Sequence, residues 1–178
     1  MQEFIGQAFG IAGLIVIVMS FQCKQNKNFF LMQGLGSLLF FVNYILIGAI
    51  AGALFNLTNL LRGFLFMKEG YGKIKATTIS VLYAGCLAFS FTQPGMTTLV
   101  AIVSVILGFT LIAMTFFMMK GNSKHIRYFQ VALMSPAWIV YNVINFTLGG
   151  ILCESFNMVS SVVFLIRTRK DGAQKKAK

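Results

Sequence analysis

The stretch VNYILIGAIAGALFNLTNLLRGFLFMK (Val42–Lys68) decides the fold of this chain. Its two apolar runs are separated by an uncharged gap at Gly48–Gly52, and a basic gap begins at Lys68. The gaps around Thr92–Gly95 and Gly149–Gly150 are uncharged too. The remaining gaps and the tail hold every Lys and Arg except Arg62: Lys24, Lys27, Lys68, Lys73, Lys75, Lys120, Lys124, Arg127, Arg167, Arg169, Lys170, Lys175, Lys176 and Lys178. Because short loops rich in Lys and Arg stay cytoplasmic, the pattern predicts seven membrane crossings, with the N-terminus outside and the C-terminus inside.

The composition also indicates an all-α membrane protein. Hydrophobic residues make up 57% of the chain and charged residues 11%, whereas soluble domains carry about a quarter charged residues. The long apolar runs lack the two-residue alternation of a membrane β-barrel. They predict a single membrane domain over 1–178, with a basic cytoplasmic tail at 167–178 and seven transmembrane helices at Phe4–Phe21, Phe29–Ile47, Ala51–Met67, Lys75–Phe91, Met96–Met119, Tyr128–Leu148 and Gly150–Ile166.

Two pairs of similar segments indicate an internal repeat. AGLIVIVMSF (Ala12–Phe21) resembles LGFTLIAMTF (Leu107–Phe116), and Val42–Leu61 resembles Val140–Val159. The second pair aligns Gly52 with Gly150 and Asn59 with Asn157, among others. The predicted arrangement is therefore 3+1+3, with repeat one at 4–67, a linker helix at 75–91 and repeat two at 96–166. Since each repeat has an odd number of helices, the linker helix gives both repeats the same orientation.

Four residues that the repeat relates predict a substrate pocket. Asn59 and Asn157 lie near the middle of their predicted helices, and Trp138 lies halfway along the sixth, with Phe40 as its counterpart. Amides at this depth need hydrogen-bond partners, so they are expected to face the interior of the bundle. Amides and flat rings together suit a neutral polar solute of the size of a sugar or a nucleoside. The alternative is that the Asn side chains only join helix to helix.

Further polar residues are candidates for a gate or vestibule. Asn43, Tyr44, Tyr141 and Asn142 would lie at the outer side, although Tyr hydroxyls also collect at the headgroup level. Ser20, Thr115 and Arg62 would lie at the inner side, and snorkelling of the Arg62 side chain is the alternative there. Glu154, the counterpart of Asn56, is the only acid within the predicted spans and hence the candidate for proton coupling, close to the hydrated outer boundary.

The sequence offers no motif for catalysis, a metal or a cofactor. His125 is the only histidine, no pair of carboxylates lies within the spans, and Cys23, Cys86 and Cys153 have no metal-ligand spacing. The chain is therefore not expected to be an enzyme. Its net charge of +11 lies at predicted membrane boundaries, which favours anionic lipid over nucleic acid as the partner. Glycine stripes such as Gly6, Gly10 and Gly13 suit close helix packing and would permit a homo-oligomer.

The layout and the motifs SPAWIVYN (Trp138) and ESFNMV (Asn157) resemble the superfamily of SWEET, SemiSWEET and PQ-loop (MtN3-like) transporters. That resemblance implies a pocket lined by an aromatic of the second helix and an Asn of the third helix of each repeat. The segments GQAFGIAGLIVIVMSF and GALFNLTNLLR resemble the YgjV-type bacterial inner membrane proteins, which implies the bacterial inner membrane as location. Ser20 and Thr115 stand near where SWEET helices carry Pro.

The resulting hypothesis is a transporter of a small polar solute that works by alternating access, without proton coupling. Two other functions stay open. One is a membrane scaffold or sensor with the same fold that transports nothing. The other is a PnuC-type transporter of a vitamin precursor, since that family shares the layout.

Overall fold

The computed structural model of the chain describes residues 1–23, 25–67, 72–94, 96–119 and 123–176. The described part is helical and contains no strand, which confirms the predicted all-helical class. Of the predicted basic residues, Lys24, Lys68, Lys120 and Lys178 lie outside it. The elements are α1 (Gln2–Ser20), α2 (Asn26–Leu46), α3 (Ile50–Met67), α4 (Lys73–Ser90), α5 (Thr98–Met119), α6 (Ser123–Phe129), a π-helical segment (Gln130–Met134), α7 (Ser135–Ile144) and α8 (Leu148–Lys176).

The largest difference from the predicted helix bounds is at the C-terminus. The last helix was predicted to end at Ile166, whereas α8 continues through the basic tail to Lys176. Arg, Lys, Gln and Ala, which dominate this tail, are strong helix formers. The helix can therefore continue beyond the apolar segment that defines the predicted span.

Among the described residues, four helices are long and apolar enough, by length and composition, to cross a membrane: Gln2–Ser20, Lys27–Leu46, Thr98–Met119 and Leu148–Arg169. Ile50–Leu65 is a shorter apolar helix in the described part of the chain. On α5, the large side chains of Leu99, Ile102, Ile106 and Phe109 follow helical spacing and are exposed. An exposed apolar helix face of this kind suits contact with lipid. The chain is therefore a membrane protein, while the number of seven crossings stays a prediction.

The helices form a ring. Each one packs against the next along the chain, α7 packs against α5 and α8, and α8 returns to α1. One end of the ring, here called the turn end, holds the turns at 47–49 and 145–147. Gln7, near the start of α1, hydrogen-bonds Phe146 and Leu148 there. The opposite end, where α1, α3 and α5 end, is called the basic end because the basic gaps lie there.

Glycines bring three of these helices close together. The Cα of Gly149 on α8 lies so close to the backbone of α1 that a Cβ on Gly149 would lie 2.3 Å from the Gly10 carbonyl carbon. Gly36 leaves space for the Ile17 side chain between α1 and α2. Gly6, Gly10 and Gly13 therefore pack closely against other helices of the same chain, as predicted for this glycine stripe.

The turn between α2 and α3 has the same backbone geometry as the turn between α7 and α8. The amide of Ala49 bonds to the Tyr44 carbonyl, and the amide of Thr147 bonds to the Asn142 carbonyl in the same way. Gly48 and Phe146, one residue earlier in each turn, both have positive φ, at 79° and 51°. Corresponding residues of the two turns are 98 positions apart, which is the spacing of the aligned pair Asn59 and Asn157.

The elements α6, the π-helical segment and α7 follow one another directly, and together they are called the sixth rod of the ring. Phe129 before the π-helical segment and Ser135 after it keep right-handed helical dihedrals, so α6 and α7 continue one another. Pro136 has no N–H to bond the carbonyl four residues earlier. A segment with i+5 hydrogen bonds, such as that from the Ser135 amide to the Gln130 carbonyl, accommodates this loss.

Candidate functional site

A cavity of about 390 Å³ lies inside the ring. Its lining comes from α1, α2, α3, α5, the sixth rod and α8. On α8 the lining extends from Gly150 to Phe164, which corresponds to roughly 20 Å along the helix axis. The polar side chains of the lining are Gln33, Tyr44, Asn56, Asn59, Arg62, Arg127, Gln130, Asn142, Glu154 and Asn157.

Four aromatic rings pack together beside the cavity, on the side of the turn end. The centroid of the Trp138 indole lies 6.1 Å from that of Tyr44, 5.8 Å from that of Tyr141 and 6.4 Å from that of Phe55. All four side chains are buried, and the Trp138 pairs with Tyr141 and Phe55 have the edge-to-face geometry in which aromatic rings attract each other. We call these four residues the aromatic layer. Trp138 lines the cavity and presents a flat apolar wall to it.

Hydrogen bonds across the ring hold the aromatic layer in place. The Tyr44 hydroxyl on α2 donates to Asn142 Oδ1 on α7 at 2.5 Å. The Tyr141 hydroxyl on α7 accepts the Gly52 amide of α3 at 2.7 Å. This amide belongs to the first turn of α3, where backbone donors have no partner within the helix. A Cβ on Gly52 would lie 2.8 Å from the Tyr141 ring, so glycine permits this close approach.

Glu154 lies in the middle of the cavity, bound by neutral donors. Its Oε2 accepts the Ser135 hydroxyl at 2.8 Å and the Gln130 amide at 3.4 Å. Its Oε1 is 3.4 Å from the Asn157 Nδ2. Gln130 also donates to the Ser135 hydroxyl at 2.8 Å. The sequence placed Glu154 close to a hydrated boundary, whereas the structure places it on the cavity wall and joins it to the sixth rod.

Asn59 differs from its counterpart Asn157 in its partner. Its Oδ1 accepts the hydroxyl of Tyr83, a buried side chain of α4, at 2.6 Å. The helix α4 therefore holds Asn59 although α4 does not line the cavity. Both amides face the cavity and are tied to a neighbouring side chain at the same time.

Two arginines lie toward the basic end of the cavity. Arg127 on α6 donates to the Ser161 hydroxyl at 3.2 Å, and its guanidinium lies 5.4 Å from the centroid of the Phe164 ring. Arg62 on α3 lines the same cavity, and its Nη1 is buried without a hydrogen-bond partner among the described residues. Snorkelling was one expectation for Arg62, but the side chain faces the interior of the ring.

The structure brings eight of the predicted site residues to one cavity: Trp138, Asn157, Phe40, Asn59, Tyr44, Asn142, Arg62 and Glu154. The other four are buried in helix contacts outside its lining. Asn43 donates to the Gly6 carbonyl of α1, and Tyr141 belongs to the aromatic layer. Ser20 accepts the Gln33 amide, and Thr115 bonds within its own helix. Their predicted gating roles stay predictions.

Three polar lining residues with long side chains were not found from the sequence. Gln33 and Gln130 each hydrogen-bond a buried serine and line the cavity. Arg127 was counted with the cations of a cytoplasmic gap, but α6 begins before it and turns it inward. The sequence feature that could have indicated Gln130 is its position six residues before Pro136, where a distorted backbone is expected to redirect side chains.

The described residues contain no group of three or more His, Cys, Asp or Glu side chains that could hold a metal ion. Cys23, Cys86 and Cys153 are free thiols, and Cys153 is buried.

The family model Imp-YgjV, described as bacterial inner membrane protein, matches residues 4–172. No curated protein and no solved structure matches the chain.

Proposed function

The chain belongs to the Imp-YgjV family of bacterial inner membrane proteins, and we propose that it carries a small polar solute across that membrane by alternating access. The observation that carries this proposal is the cavity of about 390 Å³ inside the ring of helices. Polar side chains at mid-membrane depth are costly and mark solute pathways. A volume in the range of small-molecule sites fits a single molecule of the size of a monosaccharide or a nucleoside.

The mechanism follows from the contacts that close the turn end. Tyr44 of α2 and Asn142 of α7, and Gly52 of α3 and Tyr141 of α7, join the first three helices to the sixth rod. In the proposed cycle these bonds break when the two halves of the ring separate at the turn end. Phe40 and Trp138 then contact solute that enters from that side, and Asn59 and Asn157 bind its polar groups.

The proposal includes seven crossings, parallel repeats and a cytoplasmic basic end. Support for the repeats comes from the two turns 98 residues apart with the same backbone hydrogen bonds and positive φ. The orientation rests on the Lys and Arg in alternate gaps. Glu154 is bound by three neutral donors. In the proposal its role is to position Ser135 and Asn157, and transport is facilitated diffusion without proton coupling. The proposal assigns no chemical reaction to the protein.

A scaffold or sensor without transport is the second candidate. The observation that favours it is that Asn59 and Asn157 already have intramolecular partners, namely Tyr83 and Glu154. In that case the central amides would serve helix packing, and the cavity would hold only water or lipid tails.

Solute uptake into proteoliposomes separates the two candidates. Purified protein is reconstituted and tested with radiolabelled monosaccharides, nucleosides and amino acids, together with Trp138→Ala and Asn157→Ala. Controls are Phe109→Ala, an exposed ring on α5, and Ser155→Ala, an exposed residue close to Asn157 on α8. We expect about a tenfold or greater loss of uptake in the two cavity variants, since each removes a direct contact, and wild-type uptake in the controls. If empty liposomes and wild type take up every compound equally, the transporter proposal is wrong.

A further inference from the structure

We infer that Arg62 and Arg127 form a binding site for an anionic group, a carboxylate or a phosphate, at the basic end of the cavity. The inference rests on the proposed function in one respect: in a transporter this group belongs to the solute. It changes the expected substrate from a neutral polar molecule to one with a polar body and one negative charge.

The first observation concerns Arg62. Its side chain lines the cavity, and its Nη1 is buried without an acceptor among the described residues. Buried donors are nearly always hydrogen-bonded in native proteins, and hydrogen bonds from a guanidinium to an anionic acceptor are among the strongest. An acceptor with a negative charge that enters the cavity would supply that hydrogen bond.

The second observation concerns Arg127 and its surroundings. Its one hydrogen bond to a described residue reaches the neutral hydroxyl of Ser161, and its guanidinium stands against the Phe164 ring. A guanidinium has five N–H donors in a fixed plane, so most of them stay available. The contact with the ring restricts the orientation of that plane. A restricted guanidinium loses little conformational entropy when it binds a carboxylate or phosphate.

The third observation is the charge balance of the cavity wall. The charged side chains of the lining are Arg62, Arg127 and Glu154, which gives one positive charge in excess. Glu154 is bound by Ser135, Gln130 and Asn157 and pairs with neither arginine among the described contacts. The position of Ser161, the partner of Arg127, is seven residues along α8 from Glu154. This spacing corresponds to about 10 Å along the helix axis, so the Glu154 residue and the partner of Arg127 lie about two helical turns apart.

These observations favour an anion over a neutral solute. Glu154 lies toward the middle of the cavity and the two arginines toward its basic end, so the positive charge is concentrated there. Arginine binds carboxylate and phosphate through paired, charge-assisted hydrogen bonds. Gln33, held by Ser20 on the same cavity wall, leaves its carbonyl oxygen and one N–H for the polar body of the ligand.

The anionic group has two conceivable sources, a free solute and the phosphate of a lipid headgroup. The first arm of the test therefore uses detergent-purified protein and three probes with the same pyranose ring: glucose 6-phosphate, glucuronate and neutral glucose, at constant ionic strength. The second arm uses nanodiscs of phosphatidylglycerol or phosphatidylcholine. In both arms the readout is the thermal unfolding temperature, because a ligand of the folded state raises it.

The variants are Arg62→Gln and Arg127→Gln, with Arg62→Lys as the conservative change. Arg167→Gln is the matched control, since Arg167 is an exposed cation of α8 outside the cavity. We expect at least one anionic probe, but not glucose, to stabilise the wild type and Arg167→Gln. In Arg62→Gln and Arg127→Gln we expect about a tenfold or greater rise in its Kd, as for loss of a charged hydrogen bond. Arg62→Lys is expected to bind the anionic probe with intermediate affinity, because it keeps the positive charge but not the planar guanidinium with its paired N–H donors.

The two arms of the test show whether the bound anionic group belongs to a soluble molecule or to a lipid headgroup. Stabilisation by a soluble anion supports a solute, whereas stabilisation by phosphatidylglycerol alone, lost in Arg62→Gln, supports a lipid phosphate at the same site. If glucose stabilises the wild type as much as the anions do, the inference is wrong. It is also wrong if both anionic arms leave the wild type unchanged, or if the double Arg62→Gln, Arg127→Gln variant binds anions like the wild type.

The outcome is separable from that of the proposed function. If proteoliposomes take up neutral solutes and Arg62→Gln leaves this uptake unchanged, the anion site is wrong and the transporter proposal stands. If anions bind in an arginine-dependent manner but no probe crosses the membrane, the site stands and the transporter proposal falls.

Discussion

Gly48 and Phe146 show how one backbone conformation is met by two very different residues. Both have positive φ in turns with the same hydrogen bonds, but only glycine adopts that region without cost. Phe146 is 80% exposed, and its carbonyl accepts the Gln7 amide of α1. The contact with α1 helps to hold the less favourable conformation at Phe146, whereas Gly48 relies on its own flexibility.

Gly48→Ala tests the backbone requirement alone, because a Cβ at Gly48 would have nothing within 4 Å. We expect the substitution to lower the free energy of unfolding by about 1 kcal/mol, the cost of a left-handed conformation for an L-residue. The measurement is reversible unfolding in detergent. Gly48→Asn is expected to cost less, since Asn tolerates this region better. Equal stability of Gly48→Ala and wild type would contradict the assigned turn geometry.

At the scale of elements, the contact between α1 and α8 closes the ring. It is closest at Gly10 and Gly149, where backbone meets backbone with no side chain between. Helices in lipid gain little from the hydrophobic effect and depend on such close packing. The contact joins the first and the last helix of the chain, so its loss is expected to open the ring.

Gly149→Ala is expected to destabilise the protein by about 1–3 kcal/mol, the usual range for overpacking. The new Cβ would lie 2.3 Å from a backbone carbon of Gly10, which no side-chain rotation relieves. The measurement is the thermal unfolding temperature in detergent. Gly85→Ala on α4 is the control, since nothing lies within 4 Å there, and it should match or exceed wild type because Ala favours the helix. A Gly149→Ala protein as stable as Gly85→Ala would show that α1 and α8 do not meet as described.

The π-helical segment is the element that connects the cavity to the sequence around Pro136. It directs Gln130 toward Ser135, and both donate to Glu154 on α8. A sequence pattern predicts that Pro136 distorts a helix, but the direction in which the distorted turn points is set by packing against α5 and α8. For this reason Pro136 was found from the sequence and Gln130 was not.

At the scale of the whole molecule, the distribution of charge predicts how the ring sits in the membrane. The native Cys23 lies after α1 at the basic end, and Thr92 lies after α4 in an uncharged gap. These two positions therefore belong to opposite sides if neighbouring helices each cross the bilayer. The positive-inside rule assigns Cys23 to the cytoplasm.

Thiol labelling of intact cells tests this orientation. A variant with Cys86→Ser and Cys153→Ser keeps only Cys23, and a second variant adds Cys23→Ser and Thr92→Cys. We expect a membrane-impermeant maleimide to label Thr92→Cys in intact cells and Cys23 only after permeabilisation, because cations hold the basic end inside. The reverse result, or labelling of both from outside, would contradict the predicted topology.

The sequence by itself determined the helical class, the membrane location and most of the polar residues that line the cavity. Long apolar runs and the places of Lys and Arg fix where helices begin and which environment they need, since those properties are local. A central Asn or Trp also indicates that its helix has a face directed toward the interior of the protein, because exposure of an amide to lipid is costly.

Only the tertiary structure decided which inward-facing residues line the cavity and which instead form contacts between helices. Asn43 and Tyr141 have the same polarity as Tyr44 and Asn142, yet the first two join helices outside the cavity lining and the others line the cavity. Arg127 became a cavity residue because α6 begins before it and the ring closes around it. The physical reason is that rotation of each helix about its axis is set by contacts with distant segments, such as Gly10 with Gly149, and not by its own sequence.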